Sequence, residues 1–544
     1  MASCRRVIAV VEYKKEVKLF ASVRSATLLG VRGSRVDVEV HAGIGLPGFT
    51  VVGQPDEVCR ESRDRVRAAL LSSGLPWPTR RVTVNLAPTG DRKSGACLDL
   101  AIAIGLLAAQ EIVSVDVLSD FAFIAELGLD GSLRPLRGAT PLILALTDRK
   151  SIVAPGNFAE ARAATPSEVY CAQNLLDVVE CLAGRAEWQR EIVSRTSAET
   201  NVTRQNNHGY ATTVGAGAMR ASALDMADVQ GQPVARRALE IAAAGAHHLL
   251  LVGPPGAGKT MLAERLVGLL PPLTDEEAIA TTMVHSSVHL ESPNAGLIRR
   301  APYRAPHHSS SMVSMVGGGT ALMRPGEISL ASNGVLFLDE LGEFAPSVLD
   351  ALRQPLEQGT VRLARARTSV VMPAKFLLVA ATNPCPCGEG SPGACTCDDT
   401  ARARYLRRFS GPLLDRFDLR VAVSRPNTDE LVSPQRGEST ADVADRVAAA
   451  RELAFFRSGC ANSALSREQL DLVAPLSRSA EKRLRRELEI GHLTGRGYHR
   501  VRRVARTIAD LDGAPDVVEE AHLNLALMMR VDLASGLRTR ELMF

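Results

Sequence analysis

The sequence predicts an α/β protein built around a doubly wound parallel sheet, with a second α/β module before it and a small helical domain after it. Three observations carry this. An apolar run, HHLLLV, passes through Gly253, Pro254, Pro255, Gly256, Ala257, Gly258, Lys259 and Thr260 into the helical stretch MLAERLVGLL. Two more apolar runs, GVLFLDE at 334–340 and FLLVAATN at 376–383, have the continuous character of strands buried on both faces. From about residue 441 the chain turns helical and basic, as in SAEKRLRRELE and YHRVRRVARTIADL. Strands alternating with helices imply a parallel sheet covered on both sides.

The 544 residues and ordinary apolar content allow several domains with real cores. A net charge of +4 neither demands nor excludes a nucleic-acid partner. No apolar run approaches the length that spans a bilayer. The opening MASCRRVIAVVEYKKEVKLF lacks a long apolar core followed by a small-residue cleavage site. A soluble, cytoplasmic protein with no membrane partner is expected. Six of the ten cysteines are scattered, which argues against a disulfide framework.

Residues 1–22 read as an N-terminal extension, and regular pattern begins near Ala26. Val36, Val38 and Val40 alternate with charged residues as in a half-buried strand. Further strands are expected at 49–52, 81–86 and 121–127, and helices at 55–73, 98–109 and 141–146. Asp130-Gly131 signals a hairpin. This module, 23–190, gives way at 191–221 to a polar, Gly-rich stretch without periodicity, read as a linker. The nucleotide-binding module is expected over 222–430, with a helix at 233–244 before the phosphate-loop strand. The helical domain occupies 431–544.

The chemistry begins with GPPGAGKT, which fits the G-x-x-x-x-G-K-[ST] phosphate loop in residues and in strand-to-helix context. Glycines let backbone N–H groups turn around the phosphates, and the helix N-terminus favours negative charge there. Lys259 is expected on the β- and γ-phosphates of ATP, and Thr260 on Mg²⁺. In GVLFLDE, Asp339 is the second Mg²⁺ candidate and Glu340 the general base for water. Asn383 ends the next apolar run. Its amide can orient the attacking water, or it is a turn residue before Pro384. Arg416 and Arg496 are either solvated side chains or guanidinium groups aimed at a γ-phosphate. Cys385-Pro-Cys387 and Cys395-Thr-Cys397 enclose a Gly-rich loop. Four thiolates this close suit tetrahedral Zn²⁺, while reduced free thiols fit the spacing as well. Residues 359–373, with Arg362, Arg365 and Arg367, read as a β-hairpin.

Taken together, GPPGAGKT, GEISLASNGVLFLDEL, LLVAATNPCPCG, GPLLDRFDLRV and RVARTIADLDG resemble the magnesium-chelatase-like AAA+ ATPases of the ComM/YifB type. GLPGFTVVGQPDEVCRESRDRVRAAL and the stretch from 80 to 108 are similar to the same family. The resemblance implies an N-terminal Lon-protease-like domain, an AAA+ core and a helical lid. It implies a homohexameric, DNA-dependent ATPase that promotes branch migration, or helicase activity, in recombination or transformation. It makes Asn383 sensor 1, Arg416 a trans-acting arginine finger and Arg496 the sensor 2 residue. It also implies that the hairpin arginines face a central channel, where they would grip DNA phosphates without reading sequence.

A Lon-type peptidase needs a nucleophile and a base. Cys97 stands near the serine position and Thr140 near the lysine position, so the module is expected to be non-proteolytic. Arg60, Arg63, Arg65, Arg67, Arg80 and Arg81 offer it positive charge, for DNA or as a solvated face. The paired His307 and His308 are expected to be structural. Two alternatives remain: a chaperone resembling the ATPase subunit of magnesium chelatase, and a Lon-like ATP-dependent peptidase.

Overall fold

The computed structural model describes residues 20–89, 93, 95–189, 224–288, 296–319, 323–365, 368–389, 395–409, 411–426, 437–513 and 516–531. They form two compact units divided near residue 200, with 286–296 grouped with the first. The expected linker and Arg367 lie outside the described residues, as does the expected boundary between core and helical domain at 430/431.

In the first unit seven strands make one mixed sheet, in the order Gly48–Val52, Arg81–Ala87, Arg32–Gly43, Phe20–Leu29, Phe121–Ile124, Lys150–Val153, Val169–Cys171. Phe20–Leu29 pairs antiparallel with Arg32–Gly43 from Phe20↔His41 onward. The strand therefore starts ahead of Ala26, and residues 20–22, expected in the extension, are paired in the sheet. Phe20 and Ser22 are exposed, so no apolar period marks them. Val36, Val38 and Val40 all face the core, as their alternation predicts. Every residue of the helix Asp99–Ala109 is buried, which is why that stretch is apolar all round. The helix Glu57–Ser72 starts where Asp56 accepts from the Cys59 N–H at 2.8 Å. No disulfide links the described cysteines.

In the second unit five parallel strands lie in the order Tyr303–Arg304, Val335–Leu338, Leu377–Thr382, Leu249–Val252, Leu419–Ala422. Alternate residues enter two separate cores. Leu249, Leu251, Val335, Phe337 and Val379 face one; Leu250, Val252, Leu336, Leu338 and Leu378 face the other. Burial on both faces is the physical reason these strands read as unbroken apolar runs. The basic C-terminal helices, among them Thr440–Ser458 and Gly495–Leu511, put Val447, Ala450, Val504 and Ile508 into the first of these cores. Most of their charges occupy the opposite faces.

Three charges in the helix Gly495–Leu511, on Arg502, Arg506 and Asp510, are turned inward. Asp510, buried, accepts from Arg457 Nη1 and Nη2 at 2.8 Å each, from Arg506 Nη2 at 2.8 Å and from Asn462 Nδ2 at 2.7 Å. The Arg506 side chain is itself fully buried. Removing the carboxylate leaves a buried guanidinium uncompensated. We expect Asp510→Ala to lower unfolding free energy by about 3–5 kcal/mol, read by chemical denaturation. A loss below 1 kcal/mol would mean water reaches this network.

Candidate active site

Strand register assembles the site. Val252 pairs with Thr382, so the turns that follow, at Gly253 and Asn383, leave the sheet side by side. Val335–Leu338 lies on the far side of Leu377–Thr382 and ends in Asp339 and Glu340. All three chains emerge at the carboxyl edge of the sheet, where parallel α/β folds bind ligands.

The phosphate loop needs its glycines for shape. Gly256 and Gly258 have φ of 77° and 82°, left-handed values that side chains disfavour. Gly258 caps the helix Lys259–Leu269. Ala257 is buried, whereas Pro255 and Gly256 are exposed on the loop's crest. Lys259 Nζ donates to the carbonyls of Gly253 (2.7 Å) and Pro254 (2.9 Å) and to Asn383 Oδ1 (3.2 Å). Burial pulls the ammonium below its ordinary pKa, and Asp339 and Glu340 oppose that shift.

Thr260 Oγ1 donates to Asp339 Oδ2 at 2.7 Å. A hydroxyl and a carboxylate side by side are hard oxygen donors of the kind Mg²⁺ takes beside phosphate oxygens and water. The two residues therefore fit that ion. Glu340 has a φ of 51°, unusual for a residue with a side chain. Its carboxylate Oε2 lies 3.2 Å from His308 Nδ1. That contact was not legible in the sequence, where the histidine pair reads as structural. Parallel pairing of Arg304 with Leu336 brings the chain after Arg304 to the same edge as Glu340. His307 instead meets Ser309 Oγ at 2.8 Å.

Arg416 sits elsewhere. Leu419–Ala422 runs parallel to Leu249–Val252, with Leu419 opposite Leu249. Arg416 precedes the amino end of its strand, and the phosphate loop follows the carboxyl end of the neighbouring one. Four strand residues separate the two edges by roughly 13 Å, more than an arginine side chain spans. Arg416 forms an ion pair with Glu357, and its carbonyl accepts from Arg500 Nη1 at 2.9 Å. Burial lowers its pKa, and Arg500, Arg496 and Arg353 push the same way. Arg496 lies one helical turn before Arg500, its own side chain exposed near the start of the helix Gly495–Leu511. This edge opens onto a cavity of about 590 Å³ that Lys375, Arg451 and Arg503 also line.

The hairpin is present as expected. Thr360–Arg365 pairs antiparallel with Thr368–Pro373, with Val361, Val370 and Met372 turned inward and Arg362 exposed. Arg365 closes the first strand. The sulfur atoms of Cys385, Cys387, Cys395 and Cys397 lie within 4.8 Å of one another.

In the first unit, Cys97 is buried and its thiol is pushed up to about 12 by burial, the reverse of an activated nucleophile. Thr140 is buried too, its Oγ1 donating to Glu160 Oε1 at 2.6 Å. Of the arginines weighed there, Arg65 is committed to buried Asp99, with Nε to Oδ2 at 2.7 Å. Arg60, Arg63, Arg67, Arg80 and Arg81 remain exposed.

Comparison with known proteins agrees with this architecture. Residues 225–431 match the family model described as magnesium chelatase, subunit ChlI. Residues 38–157 match subunit ChlI of Mg-chelatase, and 437–530 match its ChlI C-terminal model. Competence protein ComM of Haemophilus influenzae is 44% identical over 515 residues, covering 94% of this chain and 97% of ComM. The uncharacterized protein YifB of Escherichia coli is 42% identical, over 93% of this chain and 96% of YifB. A probable DNA helicase MCM9 of Arabidopsis thaliana is 27% identical over 192 residues, 35% of this chain and 25% of that protein. No helix among the described residues is long and apolar enough to cross a membrane.

Proposed function

The chain belongs to the ComM/YifB family of magnesium-chelatase-like AAA+ ATPases, and from that premise we propose that it is a homohexameric ring motor coupling ATP hydrolysis to the movement of DNA. The reading includes branch migration or helicase activity in recombination or transformation, carried out in the cytoplasm. One observation carries it furthest. Lys259, Thr260, Asp339, Glu340 and Asn383 gather at the carboxyl edge of the sheet, while Arg416 stands at the opposite edge. Such a chain holds a nucleotide on one side and presents a cationic group to a second copy on the other.

In this reading 253–260 cradles the triphosphate, and Lys259 exchanges loop carbonyls for phosphate oxygens. Thr260 and Asp339 hold Mg²⁺, which neutralises phosphate charge when bound. Glu340 accepts the proton of the attacking water, and Asn383 orients that water. Arg416 of the adjacent copy meets the charge developing on the γ-phosphate. Arg496, on the first turn of the helix Gly495–Leu511, is the sensor 2 residue in the lid. The domain division 23–190, 222–430 and 431–544 is retained with 191–221 as the linker, except that residues 20–22 join the first domain's sheet and only 1–19 remain as the extension. Zn²⁺ is a candidate ion for the four-cysteine loop.

His308 adds a control point. A carboxylate oxygen engaged by His308 is not free to polarise water. We expect His308→Ala to raise the basal ATPase rate a few-fold. A fall in rate would mean that His308 positions Glu340 and does not restrain it.

DNA as partner is supported by the helicase among the relatives and by the exposed Arg362 on the hairpin. Arg365 and Arg367 extend the same basic tract. The test is the ATPase rate with single-stranded, duplex and four-way-junction DNA. Stimulation is expected with DNA and should be greatest with the junction. A rate indifferent to all three overturns the DNA motor and favours the chaperone reading.

A further inference from the structure

The four cysteines stand in the arrangement of a metal centre that touches the phosphate loop. Cys385 Sγ lies 3.3 Å from Cys387 Sγ and 3.6 Å from Cys395 Sγ, and Cys387 and Cys395 are 3.6 Å apart. Four thiolates on one zinc, each bonded at about 2.3 Å, would sit about 3.8 Å from one another along the tetrahedron's edges. These three separations lie near that edge, all four sulfurs fall within 4.8 Å of one another, and each separation is far longer than a disulfide. A polar group already faces the sulfurs. The Cys387 N–H donates to Cys397 Sγ at 3.4 Å. Such a donor disperses the excess negative charge that four thiolates leave on a divalent ion.

The same loop is bound to the nucleotide site at three points. Its entry is Asn383, whose Oδ1 accepts from Lys259. Its exit is the helix Asp399–Leu406, from which Tyr405 OH returns to Thr382 Oγ1 at 2.9 Å and to the Asn383 carbonyl at 3.1 Å. Between them, Glu389 pairs with Arg425 Nη2 at 2.9 Å, and Arg425 Nε donates to the Pro255 carbonyl at 3.1 Å. Gly388, with φ of 88°, packs against Pro255 so closely that a Cβ there would stand 2.8 Å from the ring. The described parts of this loop thus bear on residues 253–260 and 383 through its two flanks and through Gly388 and Glu389.

We infer that Cys385, Cys387, Cys395 and Cys397 bind one Zn²⁺, and that this ion clamps Asn383 and the Pro255 turn in the geometry that receives ATP. The coupling rests on the reading of Lys259 and Asn383 as the ATP site; the ion's binding does not. A purely structural zinc on a remote loop would leave nucleotide affinity alone, whereas this one sets it.

The test uses the full-length chain. Metal per chain is counted by mass spectrometry, and binding of a fluorescent ATP analogue is titrated before and after zinc is displaced with an organomercurial and re-added after thiol recovery. One zinc per chain is expected in the wild type and in Arg425→Ala, and none in Cys395→Ser/Cys397→Ser. Nucleotide affinity should fall several-fold in the stripped protein, recover with zinc, and fall in Arg425→Ala despite its full zinc content. Arg425→Ala keeps all four thiols, so its result does not depend on whether the cysteine variant folds. Absence of zinc, or iron in its place, overturns the site. Full zinc with unchanged affinity on stripping and in Arg425→Ala overturns the clamp. Lys259→Ala serves as the control: full zinc with wild-type nucleotide affinity would overturn the ATP-site reading while leaving the metal site standing.

Discussion

Glu340→Gln is expected to cut ATP turnover by about 10²–10⁴-fold, the range a positioned general base supplies, while nucleotide still binds. The substitution keeps the side chain's size and its left-handed backbone position and removes only the basic oxygen. It leaves Thr260, Asp339 and Lys259 with their contacts. Lys259→Ala should behave differently. It removes the one ammonium that already bridges the Gly253 and Pro254 carbonyls and Asn383, so binding itself should weaken. Titration with a fluorescent ATP analogue, alongside steady-state turnover, separates the two. Equal affinity in wild type and Lys259→Ala would count against the phosphate role. Turnover within tenfold of wild type in Glu340→Gln would remove that residue as the base.

Arg416→Ala should lower turnover by about 10³-fold or more, the range for an arginine supplied to a phosphoryl group. Its placement gives a sharper test than the loss itself. With Arg416 at the amino edge of its strand and the phosphate loop at the carboxyl edge, the proposed arginine finger would have to come from a second copy of the chain. An inactive Lys259→Ala chain still offers an intact Arg416, and an inactive Arg416→Ala chain still offers an intact phosphate loop. Mixing the two should restore part of the activity. Mixtures no more active than their components would mean that Arg416 acts within its own chain or only structurally, through its Glu357 ion pair and its contact with Arg500.

What the sequence alone determined is local and contiguous. GPPGAGKT contains its own turn-forming glycines, lysine and threonine within eight residues, and no distant contact is needed to read it. The two apolar runs before Asp339 and Asn383 announce buried parallel strands because both faces of each must be covered. The family followed from such stretches. The start of the first strand did not, since Phe20 and Ser22 are paired through backbone and carry no apolar period.

Only the tertiary structure decided which residues meet. Lys259 reaches Asn383 across 124 positions, and His308 reaches Glu340, because strand order and parallel register bring distant turns to one edge. The same register sends Arg416 to the other edge. Cysteine spacing left zinc and free thiols equally open; the sulfur separations, and the contacts from Gly388 and Arg425 to Pro255, are properties of the folded loop. Spacing along a chain fixes what a short segment can do. Which segments act together is set by the sheet, whose hydrogen bonds are indifferent to side-chain identity and so leave no mark in the residues they align.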